Sequence, residues 1–234
     1  MTENEKHLNE ILKALDEANI LKDIILIGSW SLMFYREIFL NFKPTIRTVD
    51  VDFFVPDTKK IKESASIVNS LKELNYDLVQ DALTNKTRFI SPDGFELEFL
   101  TRLNRNNLRC IKLGNTGIYA ESLAYTDIFS MNYIEVDYNE IKVKVASPAS
   151  YVLQKLLINV ERKQKAEKDI ESIKEVLIFI KASQKSLGEL TELFNSLPKS
   201  WQKKIQKVTT SNSIELLKPL GEWWKWRHTL KWWA

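Results

Sequence analysis

Two stretches decide the reading of this chain: Ile24-Ile25-Leu26-Ile27-Gly28-Ser29 and Thr48-Val49-Asp50-Val51-Asp52-Phe53-Phe54-Val55-Pro56. The first is a short aliphatic run closed by Gly-Ser, the pattern of a buried strand entering a tight turn. Helical spacing resumes from Ser29 to Asn41 through Leu32, Met33, Phe34, Ile38 and Phe39, until Lys43-Pro44-Thr45 breaks it. The second stretch alternates over Val49 to Val55 and stops at Pro56, which predicts a second strand. Residues i and i+2 of a strand point to one face. Asp50 and Asp52 therefore project together, while Val49, Val51 and Phe53 pack on the opposite face.

Each stretch has a plain reading and a chemical one. A helix N-terminus presents unpaired N–H groups and the positive end of the helix dipole, which suits a phosphate. Gly28 lets the backbone come close to a ligand, and Ser29 adds a hydroxyl; a Gly-Ser turn can equally be only a turn. Two adjacent carboxylates repel unless a cation lies between them. Oxygen donors of this kind suit Mg²⁺ or Mn²⁺. The plain alternative is a half-exposed strand with two solvated aspartates, set against the low preference of Asp for strands.

Further out, Thr58 to Leu74 predicts a helix with Ile61, Ala65, Val68 and Leu71 or Leu74 inward. Three strands follow, at Tyr76–Val79, Thr87–Ile90 and Phe95–Leu100. Ser91-Pro92-Asp93-Gly94 forms the turn between the last two. In Phe95-Glu96-Leu97-Glu98-Phe99-Leu100, Glu96 and Glu98 share a face. One of them completes a three-carboxylate cage if this strand lies beside the aspartate strand. Such a cage can hold two metal ions; otherwise the strand is an edge with an acidic face. Residues 108 to 146 read as strand pieces of poor periodicity.

Ser147-Pro148 is a helix start, a serine N-cap followed by proline at the first position. Helices are expected at 148–162, 166–183, 186–195, 199–208 and 213–232. The domain boundary is placed there: α/β for 1–146 and helical for 147–234. Tyr151, Lys155, Asn159 and Arg162 run along one line beside the buried stripe of the first helix. That line is either a solvated polar face or a row of cations able to reach a triphosphate.

Composition excludes several chemistries. The 234 residues include two His and one Cys, too few for a Cys/His zinc site. No GxSxG, GxxxxGK[ST] or GxGxxG pattern occurs, which removes serine-hydrolase elbows, P-loops and dinucleotide folds. The net charge of +3 is weak, so any nucleic-acid contact needs a local patch. The polar N-terminus, the lone Cys110 and the short apolar runs point to a cytoplasmic protein with no membrane span.

Taken together, strand–Gly-Ser–helix, then the Asp-x-Asp strand, then a later acidic strand, resemble the nucleotidyltransferase superfamily with a DNA polymerase β-like core. The resemblance spans roughly residues 20 to 182 and is nearest to the stand-alone bacterial enzymes of the abortive-infection and type IV toxin kind. The matching residues are Ile27-Gly28-Ser29, Arg47-Thr48-Val49-Asp50-Val51-Asp52-Phe53-Phe54, Lys155 and Lys168-Asp169. The resemblance implies a mixed sheet flanked by helices, then a helical C-terminal domain, with the nucleotide between them. It implies transfer of an NMP from an NTP to a hydroxyl of RNA, tRNA, protein or a small molecule, with Mg²⁺ or Mn²⁺ as cofactor. Asp50, Asp52 and Glu98 would be the catalytic carboxylates and metal ligands. Glu98 matches better than Glu96, although the family commonly has Asp there. Gly28, Ser29, Thr48, Lys155, Arg162, Lys168 and Asp169 would face the nucleotide. The rival expectations are a catalytically silent nucleotide- or RNA-binding protein of the same fold, and an interaction protein with an antitoxin-like partner. Trp201, Trp223, Trp224, Trp226, Trp232 and Trp233 are interleaved with Lys and Arg as in a base-stacking surface, while Trp223, Trp226, Leu230 and Trp233 fall at i, i+3, i+7, i+10 as the buried stripe of a terminal helix.

Overall fold

The computed structural model describes residues 2–44, 48–61, 65–103, 108–162 and 165–218. The chain divides into two compact units, Met1–Tyr151 and Val152–Ala234.

The first unit is built on one mixed sheet. Its strands are β1 (Ile25–Ile27), β2 (Asp50–Val55), β3 (Asp77–Gln80), β4 (Thr87–Ile90), β5 (Glu96–Arg102), β6 (Cys110–Lys112), β7 (Tyr119–Leu123), β8 (Tyr133–Tyr138) and β9 (Ile141–Ala146). The main path runs β3-β4-β5-β2-β1-β9-β8, with β7 pairing β5 and β6. β2 is antiparallel to β1 and parallel to β5. Helix α1 (Glu3–Glu17) is opened by Thr2, whose hydroxyl accepts from the Glu5 N–H while the Glu5 carboxylate accepts from the Thr2 N–H. That capping box satisfies two N–H groups the helix leaves unpaired. Leu8, Ile11, Leu12 and Leu15 form its buried stripe, and the helix packs on α3 (Ala65–Glu73) and β9. The α/β class expected from the sequence is the class observed.

Several elements depart from expectation. The helix from Ser29 to Asn41 shrinks to α2 (Ser31–Phe34) between two 3-10 turns, Gly28–Trp30 and Tyr35–Glu37. Trp30, Phe34, Tyr35, Phe39 and Phe42 are all buried. A straight helix has one inner stripe, so the segment coils tightly to bury aromatics on several sides. The Tyr35 ring sits 6.1 Å from both Phe42 and Tyr151. In α3, Ile67 and the expected Leu71 face inward, whereas the expected Val68 is half-buried. Residues 108 to 146 contain four strands and a short helix, α4 (Asp127–Met131).

Helix α5 (Pro148–Ile158) begins in the first unit and ends in the second. The Ser147 hydroxyl accepts from the Ser150 N–H at 3.0 Å, the expected cap. The second unit continues with α6 (Ala166–Ala182), α7 (Gln184–Ser196) and α8 (Lys199–Ser211). Residues 212 to 218 are turn and bend, so the helix expected at 213 does not start there. Trp223, Trp224, Trp226, Trp232 and Trp233 lie outside the described residues, as does Arg47.

Candidate active site

The site is built where β1 ends and β2 begins. Ile27 lies opposite Asp52 in the antiparallel register, so the Gly28 turn falls against the Asp52 side chain. Gly28 has φ +70, and a Cβ there would stand 2.7 Å from Asp52 Oδ2. Any side chain at 28 would collide with the carboxylate, in a backbone region L-residues avoid. The turn is braced from below. The Ser31 hydroxyl donates to the Gly28 carbonyl at 2.6 Å. The Tyr35 hydroxyl donates to the Ala146 carbonyl at 2.9 Å, and burial holds its pKa well above the usual tyrosine value.

Asp50 and Asp52 are half-buried on one face of β2, while Val51 and Phe53 are fully buried on the other. Val49, expected to pack with them, is instead 53% exposed and precedes the strand; its carbonyl accepts from the Glu96 N–H at 2.7 Å. Ser29 and Thr48 are both half-buried, and the Thr48 carbonyl accepts from Asn4.

β5 lies beside β2 in parallel register, with Asp50 opposite Glu96 and Asp52 opposite Glu98. Partners across a ladder share a face, so the four carboxylates form a two-by-two patch. Glu98 is the one beside Asp52. β4 and the residue before it supply cations the sequence reading missed. Arg88 Nη1 is 3.0 Å from Glu96 Oε2. Lys86 Nζ is 2.7 Å from both Glu98 Oε2 and Glu121 Oε2. Burial pulls the Lys86 pKa down, but bonds to Glu121 and Glu98 outweigh it, and the ammonium is held above the ordinary lysine value. Period-2 alternation in Lys86-Thr87-Arg88-Phe89 was the available signal, since it puts both cations on one face. Among the described residues, no group of three His, Cys, Asp or Glu is arranged to hold a metal ion. Asp50, Asp52 and Glu98 share one face of the sheet, with the Glu98 carboxylate paired to Lys86.

The second unit holds the other residues singled out. Lys155 Nζ meets Asp169 Oδ1 at 2.5 Å, and both side chains are nearly fully buried. Arg162 Nη1 stands 3.5 Å from Asp169 Oδ2. Burial pulls the Lys155 pKa down, only partly opposed by Asp169. Asn159 is also buried and donates to the Ala166 carbonyl at 3.0 Å. The line Tyr151, Lys155, Asn159 is therefore not a solvated face. Arg162 is half-exposed and Lys168 exposed.

His7, which had no assigned role, is tied down by three neighbours. Its Nε2 is 2.8 Å from Asp93 Oδ2, its Nδ1 is 2.7 Å from the Tyr76 hydroxyl, and its ring stacks on Phe95 at 4.9 Å. These bonds join α1 to the start of β3 and to the turn before β5.

A family model described as Nucleotidyltransferase matches residues 6–194. The chain belongs to that nucleotidyltransferase family. No curated protein matches it in sequence. Among solved structures, it is similar to an antigenic nucleotidyltransferase-like protein from Paracoccidioides brasiliensis, at 18% identity over 85% of this chain and 93% of that one, TM-score 0.42. It is also similar to ANT(2")-Ia in complex with adenylyl-2"-tobramycin, at 14% identity over 90% and 99%, TM-score 0.49. A third is the lincosamide antibiotic adenylyltransferase LnuA, lincomycin-bound, at 15% identity over 72% and 96%, TM-score 0.42. A nucleotidyltransferase takes a nucleotide as substrate. No described helix of this nucleotidyltransferase is long and apolar enough to cross a membrane.

Proposed function

We propose that the protein transfers a nucleoside monophosphate from an NTP to a hydroxyl acceptor, releasing pyrophosphate, with a divalent ion held by Asp50 and Asp52. The observation that supports this most is the contact between Asp52 and the Gly28 turn. The Asp52 carboxylate lies close to the half-buried Gly28 backbone, which carries no side chain of its own. The donor set fits the ion: two half-buried carboxylates on one strand face, oxygen only. Mg²⁺ and Mn²⁺ bind through one or two carboxylates plus substrate phosphates. When bound, the ion polarises the α-phosphate and lowers the pKa of the acceptor hydroxyl.

The chain's own groups supply the remainder. Backbone N–H groups at Gly28 and Ser29 bind phosphate oxygens, with the Ser29 hydroxyl as a further donor. Ser31 and Tyr35 keep that turn rigid, so little reorganisation is needed at the moment of reaction. The acceptor oxygen attacks the α-phosphorus, the bond to the bridging oxygen of the β-phosphate breaks, and pyrophosphate leaves. The acceptor proton passes to an aspartate carboxylate of the patch and on to water; His7 is engaged with Asp93 and Tyr76. In this reading Thr48 helps hold the nucleotide.

Label transfer tests the reading. The protein is incubated with each α-labelled NTP, Mg²⁺ or Mn²⁺, and a cell extract divided into RNA, protein and small-molecule fractions. Label in one fraction, absent with Asp50→Asn/Asp52→Asn, is the expected result and names the acceptor class. NTP binding with no label in any fraction would overturn the enzyme reading in favour of a silent nucleotide-binding protein.

A further inference from the structure

The carboxylate patch does not end at Glu98. In the parallel register of β5 and β7, Glu121 lies opposite Leu100, two residues beyond Glu98 on the same face. Asp52, Glu98 and Glu121 thus follow one another across three strands. Such a row repels itself unless positive charge is placed within it. The chain provides that charge: Lys86 Nζ is 2.7 Å from both glutamates, with its side chain 24% exposed and theirs 14% and 22%.

The position of Lys86 is also built. It follows a loop that bonds to itself: Asp81 Oδ1 accepts from the N–H groups of Leu83 and Thr84 and from the Thr84 hydroxyl. The Lys86 N–H then donates to Thr84 Oγ1, and its carbonyl accepts from the Asp81 N–H at 2.8 Å. Both ends of the residue's peptide frame are therefore fixed before β4 begins. A flexible surface lysine has no such frame.

We propose that Lys86 is a built-in second cation of the active site: it pins Glu98 beside Asp52, neutralises it, and leaves Asp50 and Asp52 to bind a single divalent ion. The inference rests on the nucleotidyltransferase reading of those two aspartates. A fixed ammonium is always in place and needs no ion concentration to fill it. It also removes Glu98 from competition for the divalent ion that Asp50 and Asp52 would hold. Lys86 is a positioning residue here, since it acts through Glu98.

The test counts ions. Mn²⁺ bound per complex is measured by electron paramagnetic resonance on the full chain, in parallel series with the α,β-methylene analogues of ATP, GTP, CTP and UTP. Every ion in the complex is counted, including the one the nucleotide carries. The native chain should hold one, and Lys86→Arg should also hold one. Lys86→Met, which releases Glu98 and Glu121, should hold two; Lys86→Gln replaces it if the Met variant does not fold. Two ions on the native chain, or one on the charge-free variant, would overturn the proposal. Asp50→Asn/Asp52→Asn with Lys86 intact separates this from the parent reading. If that variant still binds Mn²⁺ as the native chain does, the aspartate assignment itself fails, whatever Lys86 does.

Discussion

Two lysines of this chain hold carboxylates at nearly the same distance and respond in opposite ways. Lys86 meets Glu98 and Glu121 at 2.7 Å, and its pKa is raised. Lys155 meets Asp169 at 2.5 Å, and its pKa is lowered. Contact distance does not distinguish them. The difference is exposure: Lys86 keeps 24% of its side chain in solvent, whereas Lys155 keeps 9%. Desolvation penalises the charged form, and for Lys155 the contact with Asp169 does not fully offset it. The sheet face is thus a place where charge is comfortable and available to a ligand. The Lys155–Asp169 pair ties α5 to α6 at an electrostatic cost.

The largest expected effect comes from emptying the sheet face of its central charges. Asp50→Asn/Asp52→Asn should lower transfer by about 10³-fold or more, while the circular dichroism spectrum and melting temperature stay close to native. A melting temperature that fell with the activity would make these aspartates structural instead. Next comes the buried pair. Lys155→Ala leaves the Asp169 carboxylate buried without its nearest cation and should cost about 3 kcal/mol in urea unfolding. Lys155→Met/Asp169→Leu should recover most of that; if the double variant is as unstable as the single one, the pair is not acting as a unit.

Gly28→Ala is expected to cost about 2 kcal/mol, from backbone strain at φ +70 and the clash with Asp52. Because the clash displaces a proposed ligand, activity should fall further than stability does. Equal losses would separate the turn from the chemistry. The smallest effect is pH dependence, at most about 1.4 kcal/mol per pH unit. For Lys86 the folded pKa is raised, so its contribution is complete below about 10.5 and is lost as pH climbs through the raised value. For Lys155 the folded pKa is lowered, so the unfolded chain binds more protons between that value and about 10.5. Stability attributable to this site then rises with pH across that window. Unfolding of native, Lys86→Met and Lys155→Met chains along a pH series should show slopes of opposite sign.

The strands that carry the site were legible because their residues have strong local signals. Ile24 to Ile27 is aliphatic and closes on Gly28; Val51 and Phe53 alternate with aspartates until Pro56 ends the run. The hairpin turn at Ser91 to Gly94 was legible for the same reason, and there the Gly94 N–H donates to the Ser91 carbonyl at 3.0 Å. The helix after Ser29 is shorter than expected because Phe39, which fits a helix stripe, joins Phe42 in an aromatic cluster around Tyr35 that only the folded chain brings together. Lys86 and Arg88 were passed over because a strand's own alternation does not name its neighbour. Their pairing with Glu98 and Glu96 depends on β4 lying beside β5, a tertiary fact. The His7 contacts to Tyr76 and Asp93 are equally non-local.

The parallel register of β2 and β5 has a consequence for how errors in this protein are handled. Every carboxylate of the patch alternates with a fully buried neighbour: Val51 and Phe53 on one strand, Leu97 and Phe99 on the other. A slip of one residue in either strand would drive its acidic pair into the core and its aromatic residue into water. Such a chain would not persist as a folded but inactive competitor for substrate. It would stay unfolded and be cleared as unfolded chains are. The cell's proofreading of shape therefore doubles as proofreading of the chemistry.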